Sequence, residues 1–158
     1  MELQIKEEAP LFSLPNQDNA EISLLNFRGS YVVLYFYPKD KTPGCTTEAC
    51  DFRDSMESLN ALGAVVLGVS PDSTKSHQSF IGKESLNFTL LSDTNKEVLK
   101  MYGAFGVKKL YGKEYEGVIR STFLIDPQGK IAHIWKNVKV KGHIKEVREK
   151  LEALKELI

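Results

Sequence analysis

The stretch that decides the fold is Tyr31 to Tyr37, YVVLYFY, with the loop and helix start that follow it, Pro38-Lys-Asp-Lys-Thr42-Pro-Gly-Cys45. An unbroken run of aliphatic, β-branched and aromatic residues, with no polar alternation, suits a strand buried on both faces of a sheet, and Pro38 ends it. A second such run, Ala64 to Ser70 (AVVLGVS), follows after 26 residues, room enough for a loop and a crossover helix in a βαβ unit. That helix has a clear start: Thr42 is a good N-cap, and Pro43 falls at N1, where its missing N–H costs nothing and its φ is already helical. From Cys50 to Leu62, Phe52, Met56, Leu59 and Leu62 recur at spacings of 4, 3 and 3, the buried stripe of the same helix.

Further helices are predicted at about Ser73 to Lys83, Asn95 to Tyr102 and Gly142 to Leu157, the last with Ile144, Val147, Leu151 and Leu154 on one face. Arg120 to Asp126 and Lys130 to Trp135 flank the turn signal Pro127-Gln128-Gly129 and read as an antiparallel hairpin. The first 30 residues read as turns and short strands with an outer hairpin. The resulting order is β-α-β-α, another helix, then β-β-α. A mixed α/β sheet with helices on both faces, of the thioredoxin-like class, is the simplest layering for it. No repeat or linker divides the chain, so residues 1–158 are expected to form one domain.

Composition narrows the function. With 42% hydrophobic and 27% charged residues, the chain is an ordinary globular protein. Twenty-one basic and 21 acidic side chains cancel, so there is no general basic field for nucleic acid. The one basic cluster, Lys136, Lys139, Lys141 and Lys145, reads as a solvated face. Met1 to Pro10 lacks the apolar core of a signal peptide and no run approaches a membrane span, which places the protein by default in the cytoplasm. Two cysteines five positions apart cannot staple a secreted fold; in a reducing compartment such a pair is more often catalytic or metal-binding.

With Thr42 as N-cap, Cys45 stands at N3, where unpaired backbone N–H groups and the positive end of the helix dipole favour a thiolate, the nucleophile of cysteine redox chemistry. Cys50, five residues on, lies about 7.5 Å along the axis and about 140° around it in an intact helix. A disulfide needs Cα atoms within roughly 7 Å and converging Cβ vectors, so this pair can close only if the helix unwinds locally.

The pattern Pro38-x-x-x-Thr42-x-x-Cys45 resembles the P-x-x-x-T-x-x-C signature of peroxiredoxins, and a cysteine five residues further on is similar to the Q-type branch, also called bacterioferritin comigratory protein. The likeness runs from APLFSLPNQ near the start to GVIRSTFLIDPQGKI. It implies a thiol peroxidase without cofactor or metal, acting on hydrogen peroxide and organic hydroperoxides. By the same resemblance Cys45 is the attacking thiolate and Thr42 offers its hydroxyl to sulfur and peroxide, beyond its part as an N-cap. Pro38 shields the thiolate, although ending the strand explains it equally well. Arg120 brings a permanent positive charge to the sulfur and to the departing oxygen. Glu48 matches a family position and could orient an arginine; a helix-surface glutamate is the plain alternative. Cys50 resolves the sulfenic acid of Cys45 as an intramolecular disulfide, and thioredoxin or a similar dithiol reduces it. A monomer is implied, with a dimer the alternative.

Two other readings compete. A thioredoxin-like disulfide oxidoreductase shares the fold class, but such enzymes use C-x-x-C, which closes without unwinding a helix, whereas this chain has C-x-x-x-x-C. A metal-binding module could use C-x₄-C as half a zinc site. The other half is missing: His77, His133 and His143 show no H-x₃₋₅-H spacing and read as ordinary surface or partly buried residues. A structural domain with incidental cysteines would leave the motif and the capped cysteine helix as coincidences.

Overall fold

A computed structural model describes residues 2–156. In chain order the elements are β1 (Ser13–Pro15), β2 (Glu21–Ser23), a 3-10 turn (Leu24–Phe27), β3 (Tyr31–Phe36), α1 (Pro43–Ala61), β4 (Ala64–Ser70), α2 (Thr74–Glu84), β5 (Thr89–Ser92), α3 (Glu97–Met101), β6 (Phe105–Leu110), β7 (Lys113–Val118), β8 (Ser121–Ile125), β9 (Ile131–Trp135) and α4 (His143–Glu156). The central sheet has the order β5-β4-β3-β8-β9. β3 runs parallel to β4, and β4 to β5, while β8 is antiparallel to both β3 and β9.

The polarity of β3 explains its central place. Tyr31, Val33 and Tyr35 join one apolar cluster with Phe52 and Leu59 of α1, Phe80 of α2 and Val147 and Leu151 of α4. Val32, Leu34 and Phe36 join the other, with Val98 and Leu99 of α3, Tyr102, and Phe12, Leu14 and Leu24 of the N-terminal segment. A strand with both faces covered must be apolar at every position, as YVVLYFY is. Helices therefore cover both faces of a mixed sheet, the thioredoxin-like layering expected.

Helix starts agree with expectation to within about two residues. Ser73 caps α2, its hydroxyl accepting from Ser76 N. Of α4, residues Ile144, Val147 and Leu151 are buried; Leu157, the end expected for this helix, lies outside the described residues.

Three strands were not foreseen. β5 is four residues long and too short for periodicity to separate from a loop. β6 and β7 form a lysine-rich hairpin closed by Tyr111 and Gly112, both at positive φ (52° and 77°), the backbone of a type I′ turn. Tyr-Gly lacks the Asn-Gly or Asp-Gly signature that announces such a turn. Nor is the basic cluster wholly solvated: the ammonium of Lys136 donates to the carbonyls of Tyr102 and Gly103 at the end of α3, and burial lowers its pKa.

Candidate active site

α1 starts as its sequence dictates, with Thr42 in the extended N-cap conformation, Pro43 at N1 and Cys45 at N3. Cys45 is 1% exposed and packs in the cluster of Tyr35, Tyr37 and Phe52. Arg120, 75 residues away at the entry to β8, reaches back to this helix: its Nη2 donates to Cys45 Sγ at 3.2 Å and its Nη1 to Glu48 Oε1 at 2.5 Å. One planar guanidinium thus bridges the sulfur and a carboxylate, and a fork with fixed donors holds both at once.

The charges around the sulfur set one another. Burial alone would lower the pKa of Arg120, but the Glu48 carboxylate and the Cys45 sulfur outweigh it and raise it, so the guanidinium stays charged. Glu48 is fully buried, not on the helix surface, and its Oε2 has no hydrogen-bond partner among the described residues. Burial raises its pKa from 4.5 to about 7, with Arg120 opposing and Asp51 adding to the rise. Such a carboxyl contributes stability that is complete below pH 4.5, where both states are protonated, and is lost as pH rises through about 7. The expected loss is up to about 3 kcal/mol. Urea unfolding of the reduced protein at pH 4 and pH 8 checks this: wild type should lose about that much more than Glu48→Gln. An equal change in both would mean that Glu48 ionises as an ordinary carboxylate.

Thr42 departs from the expected cap. Its hydroxyl donates to Lys39 O at 2.9 Å, and its side chain makes no hydrogen bond to the first turn. The lone pairs of the oxygen remain as hydrogen-bond acceptors. Pro38, half-buried beyond the end of β3, lines a groove of about 350 Å³ with Lys39, Pro71, Phe105 and Tyr115.

Cys50 lies on the same unbroken helix, and both thiols are free. Its Sγ faces α2, donating to Glu84 Oε1 at 3.6 Å. Burial first, and then the hydrogen bond and charge of Glu84, raise its pKa against the opposing charge of Arg53. The surrounding contacts tie α1 to the end of α2: Arg53 Nη1 donates to Glu84 O at 2.6 Å and Asn87 Nδ2 to Arg53 O at 3.3 Å. A Cys45–Cys50 bond therefore needs α1 to unwind between them and Cys50 Sγ to leave Glu84.

The histidines correct the sequence reading. His77 is wholly buried and His143 is 3% exposed, so neither is a surface residue. His143 Nε2 pairs with Thr122 Oγ1 at 2.8 Å, and burial, with the charge of Arg120, lowers its pKa to about 4, which keeps the ring neutral near pH 7. His77 bonds Asp40, a buried residue of the loop before α1. The available signal was positional: His77 occupies the buried stripe of α2 together with Phe80, and a polar residue on such a stripe needs a buried partner.

The comparisons with known proteins show the family. Residues 5–134 match the AhpC/TSA family. The chain is 47% identical over 156 residues to Peroxiredoxin Bcp of Bacillus subtilis, covering 99% of each sequence. Among solved structures, it is similar to PrxQ of Xylella fastidiosa (TM-score 0.91, 37% identity, 97% of this chain and 98% of that one). It is also similar to the bacterioferritin comigratory protein of Xanthomonas campestris studied for its alkyl peroxide reduction activity (TM-score 0.86, 39% identity, 90% of each chain). A buried cysteine at a helix N-terminus under an arginine, carried on a thioredoxin-like fold and matched over nearly its whole length, places the chain in the AhpC/TSA family as a peroxiredoxin of the Bcp or Q type, a thiol-dependent peroxidase.

Proposed function

We propose that Cys45 is the attacking thiolate, Arg120 and Thr42 its partners in the transition state, Pro38 a shield on the loop side, Glu48 the group that orients Arg120, and Cys50 the resolving thiol. The observation that carries the reading is the 3.2 Å contact of Arg120 Nη2 with Cys45 Sγ in the first turn of α1. The sulfur attacks one peroxide oxygen; an S–O bond forms, the O–O bond breaks, and hydroxide or alkoxide leaves and is protonated to water or alcohol, balancing the proton lost when the thiol ionised. Arg120 donates to the charge that develops on the departing oxygen, and Thr42 Oγ1 accepts from the peroxide O–H. The thiol of Cys50 then attacks the sulfenic acid, forming the disulfide and releasing water. An external dithiol, thioredoxin by family likeness, reduces that disulfide and is itself oxidised.

The alkyl peroxide activity named for the Xanthomonas relative extends the proposed substrates to organic hydroperoxides. Pairing within one chain needs no second copy, so the working unit is a monomer. None of the described helices is long and apolar enough to cross a membrane.

Peroxide consumption coupled to thioredoxin, thioredoxin reductase and NADPH tests the scheme. Cys50→Ser is expected to react once with peroxide at close to the wild-type rate and then stall, with turnover down by about a hundredfold or more for want of the resolving thiol. Sustained turnover in that variant would remove Cys50 from the cycle, and disulfide reduction without peroxide consumption would favour an oxidoreductase.

A further inference from the structure

The loop from Pro38 to Thr42 carries two of the residues proposed to meet the peroxide, and its middle residue is buried. Asp40 is 5% exposed in a segment otherwise made of lysines, proline and threonine. Both its carboxylate oxygens and its N–H are used. Oδ1 accepts from Tyr37 Oη at 2.5 Å; Oδ2 accepts from Ser76 Oγ at 2.8 Å and lies 2.7 Å from His77 Nδ1; its N–H donates to Asp72 Oδ2 at 2.8 Å. Asp72 is held in turn by Ser70 Oγ at 2.7 Å. The ends of β3 and β4 and the first turn of α2 thus converge on one residue, and His77 Nε2 ties the group to β5 through Leu91 O at 3.0 Å.

The chemistry of the pair follows from its acceptors. A backbone carbonyl only accepts, so Nε2 of His77 carries a hydrogen. Nδ1 lies 2.7 Å from a carboxylate oxygen of Asp40. Asp40 and His77 are therefore one hydrogen-bonded unit. Asp40, Asp72 and His77 have side-chain ligand atoms within 4.8 Å of one another, and Asp40 Oδ2, Asp72 Oδ2 and His77 Nδ1 are each taken up in the hydrogen bonds of the clamp. The clamped loop is not relaxed: Lys41 is at φ 67°, left-handed for a residue with a side chain. Thr42 follows immediately, with its hydroxyl directed to Lys39 O.

We propose that Asp40 and His77 are positioning residues for peroxide reduction: they hold the Pro38–Thr42 loop, and so the Thr42 oxygen, in register with Cys45 and Arg120. This rests on Cys45 as the attacking thiol. Arg120 fixes the sulfur from the β8 side; the Asp40–His77 clamp fixes the loop side. Misplacement of a substrate-aligning group by about 1 Å costs about a hundredfold in rate.

Two reactions of the reduced protein separate this role from simple structural support. Hydroperoxide must align its O–O bond between Thr42 and Arg120, whereas iodoacetamide needs only an accessible thiolate. Asp40→Asn keeps the shape but removes the charge that faces the imidazole. It is expected to slow single-turnover oxidation by hydrogen peroxide about 10- to 100-fold while Cys45 alkylation stays within about twofold. Asp40→Asn combined with His77→Gln should be no slower than the worse single variant, because the two act as a unit. Wild-type oxidation in Asp40→Asn, or oxidation and alkylation falling by one common factor, would overturn the proposal. Should Asp40→Asn not fold, Ser76→Ala and Tyr37→Phe, each removing one hydrogen bond to Asp40, carry the same comparison on a smaller scale. Cys45→Ser run alongside isolates the premise: persistent oxidation by peroxide there would refute the attacking role of Cys45, whatever Asp40→Asn shows.

Discussion

Cys45→Ser is expected to lose peroxide turnover by at least about 10⁴-fold while keeping its fold. Serine has nearly the volume of cysteine, and its hydroxyl can accept the hydrogen bond that Arg120 now gives to the sulfur at 3.2 Å, so the buried site is neither emptied nor left unsatisfied. What disappears is the only group at N3 of α1 that can be an anion nucleophile near neutral pH. The coupled NADPH assay measures the loss, and an unchanged melting transition shows that it is chemical. Activity retained in this variant would mean that another residue attacks the peroxide.

Arg120→Ala should lower the second-order rate constant for peroxide about 10²- to 10³-fold, the usual effect of removing one preorganised donor from a developing anion. The loss has two parts. The departing oxygen loses its donor, and Glu48, fully buried with Oε2 already unpartnered, loses the charge that holds its other oxygen. Arg120→Lys should recover only part of the rate, because an ammonium is a point charge and cannot hold sulfur and carboxylate with one rigid fork. Stopped-flow measurement on reduced protein distinguishes the cases. Unlike Asp40→Asn, Arg120→Ala is expected to slow alkylation of Cys45 as well, since it removes positive charge from the sulfur itself.

Much of this was legible in the residues. YVVLYFY announced a central strand because a strand covered on both faces leaves no position for a polar side chain, and Thr42-Pro43 announced the helix that presents Cys45. The antiparallel pair around Pro127-Gln128-Gly129 was equally plain, and the structure shows why: Asp126 Oδ1 accepts from the amides of Gln128 and Lys130, and Gly129 sits at φ 89°. The hairpin at Tyr111-Gly112 was not, since its strands face solvent with lysines and glutamates and its turn lacks the usual residues.

At the site, the division is between local and long-range. The position of Cys45 at N3 follows from its own neighbours, whereas Arg120 reaches it through the pairing of β3 with β8, which no local pattern encodes; its role came from family likeness. Burial of Glu48 and Asp40 was hidden for a related reason. Each sits among polar neighbours in sequence, and only the packing of α1 against the sheet, or of the Pro38–Thr42 loop against α2, takes it out of water. Thr42 shows the limit of a cap rule: the backbone adopts the cap conformation, but the hydroxyl turns back to Lys39 O.

The central claim is that one chain carries out both oxidation and resolution through Cys45 and Cys50. The most direct test is mass spectrometry of reduced protein, diluted to disfavour contacts between chains and treated with one equivalent of hydrogen peroxide. The expected product is a monomer lighter by two hydrogens, with a peptide map joining Cys45 to Cys50. A stable oxygen adduct on Cys45 with Cys50 still free, or a disulfide between two chains, would contradict it.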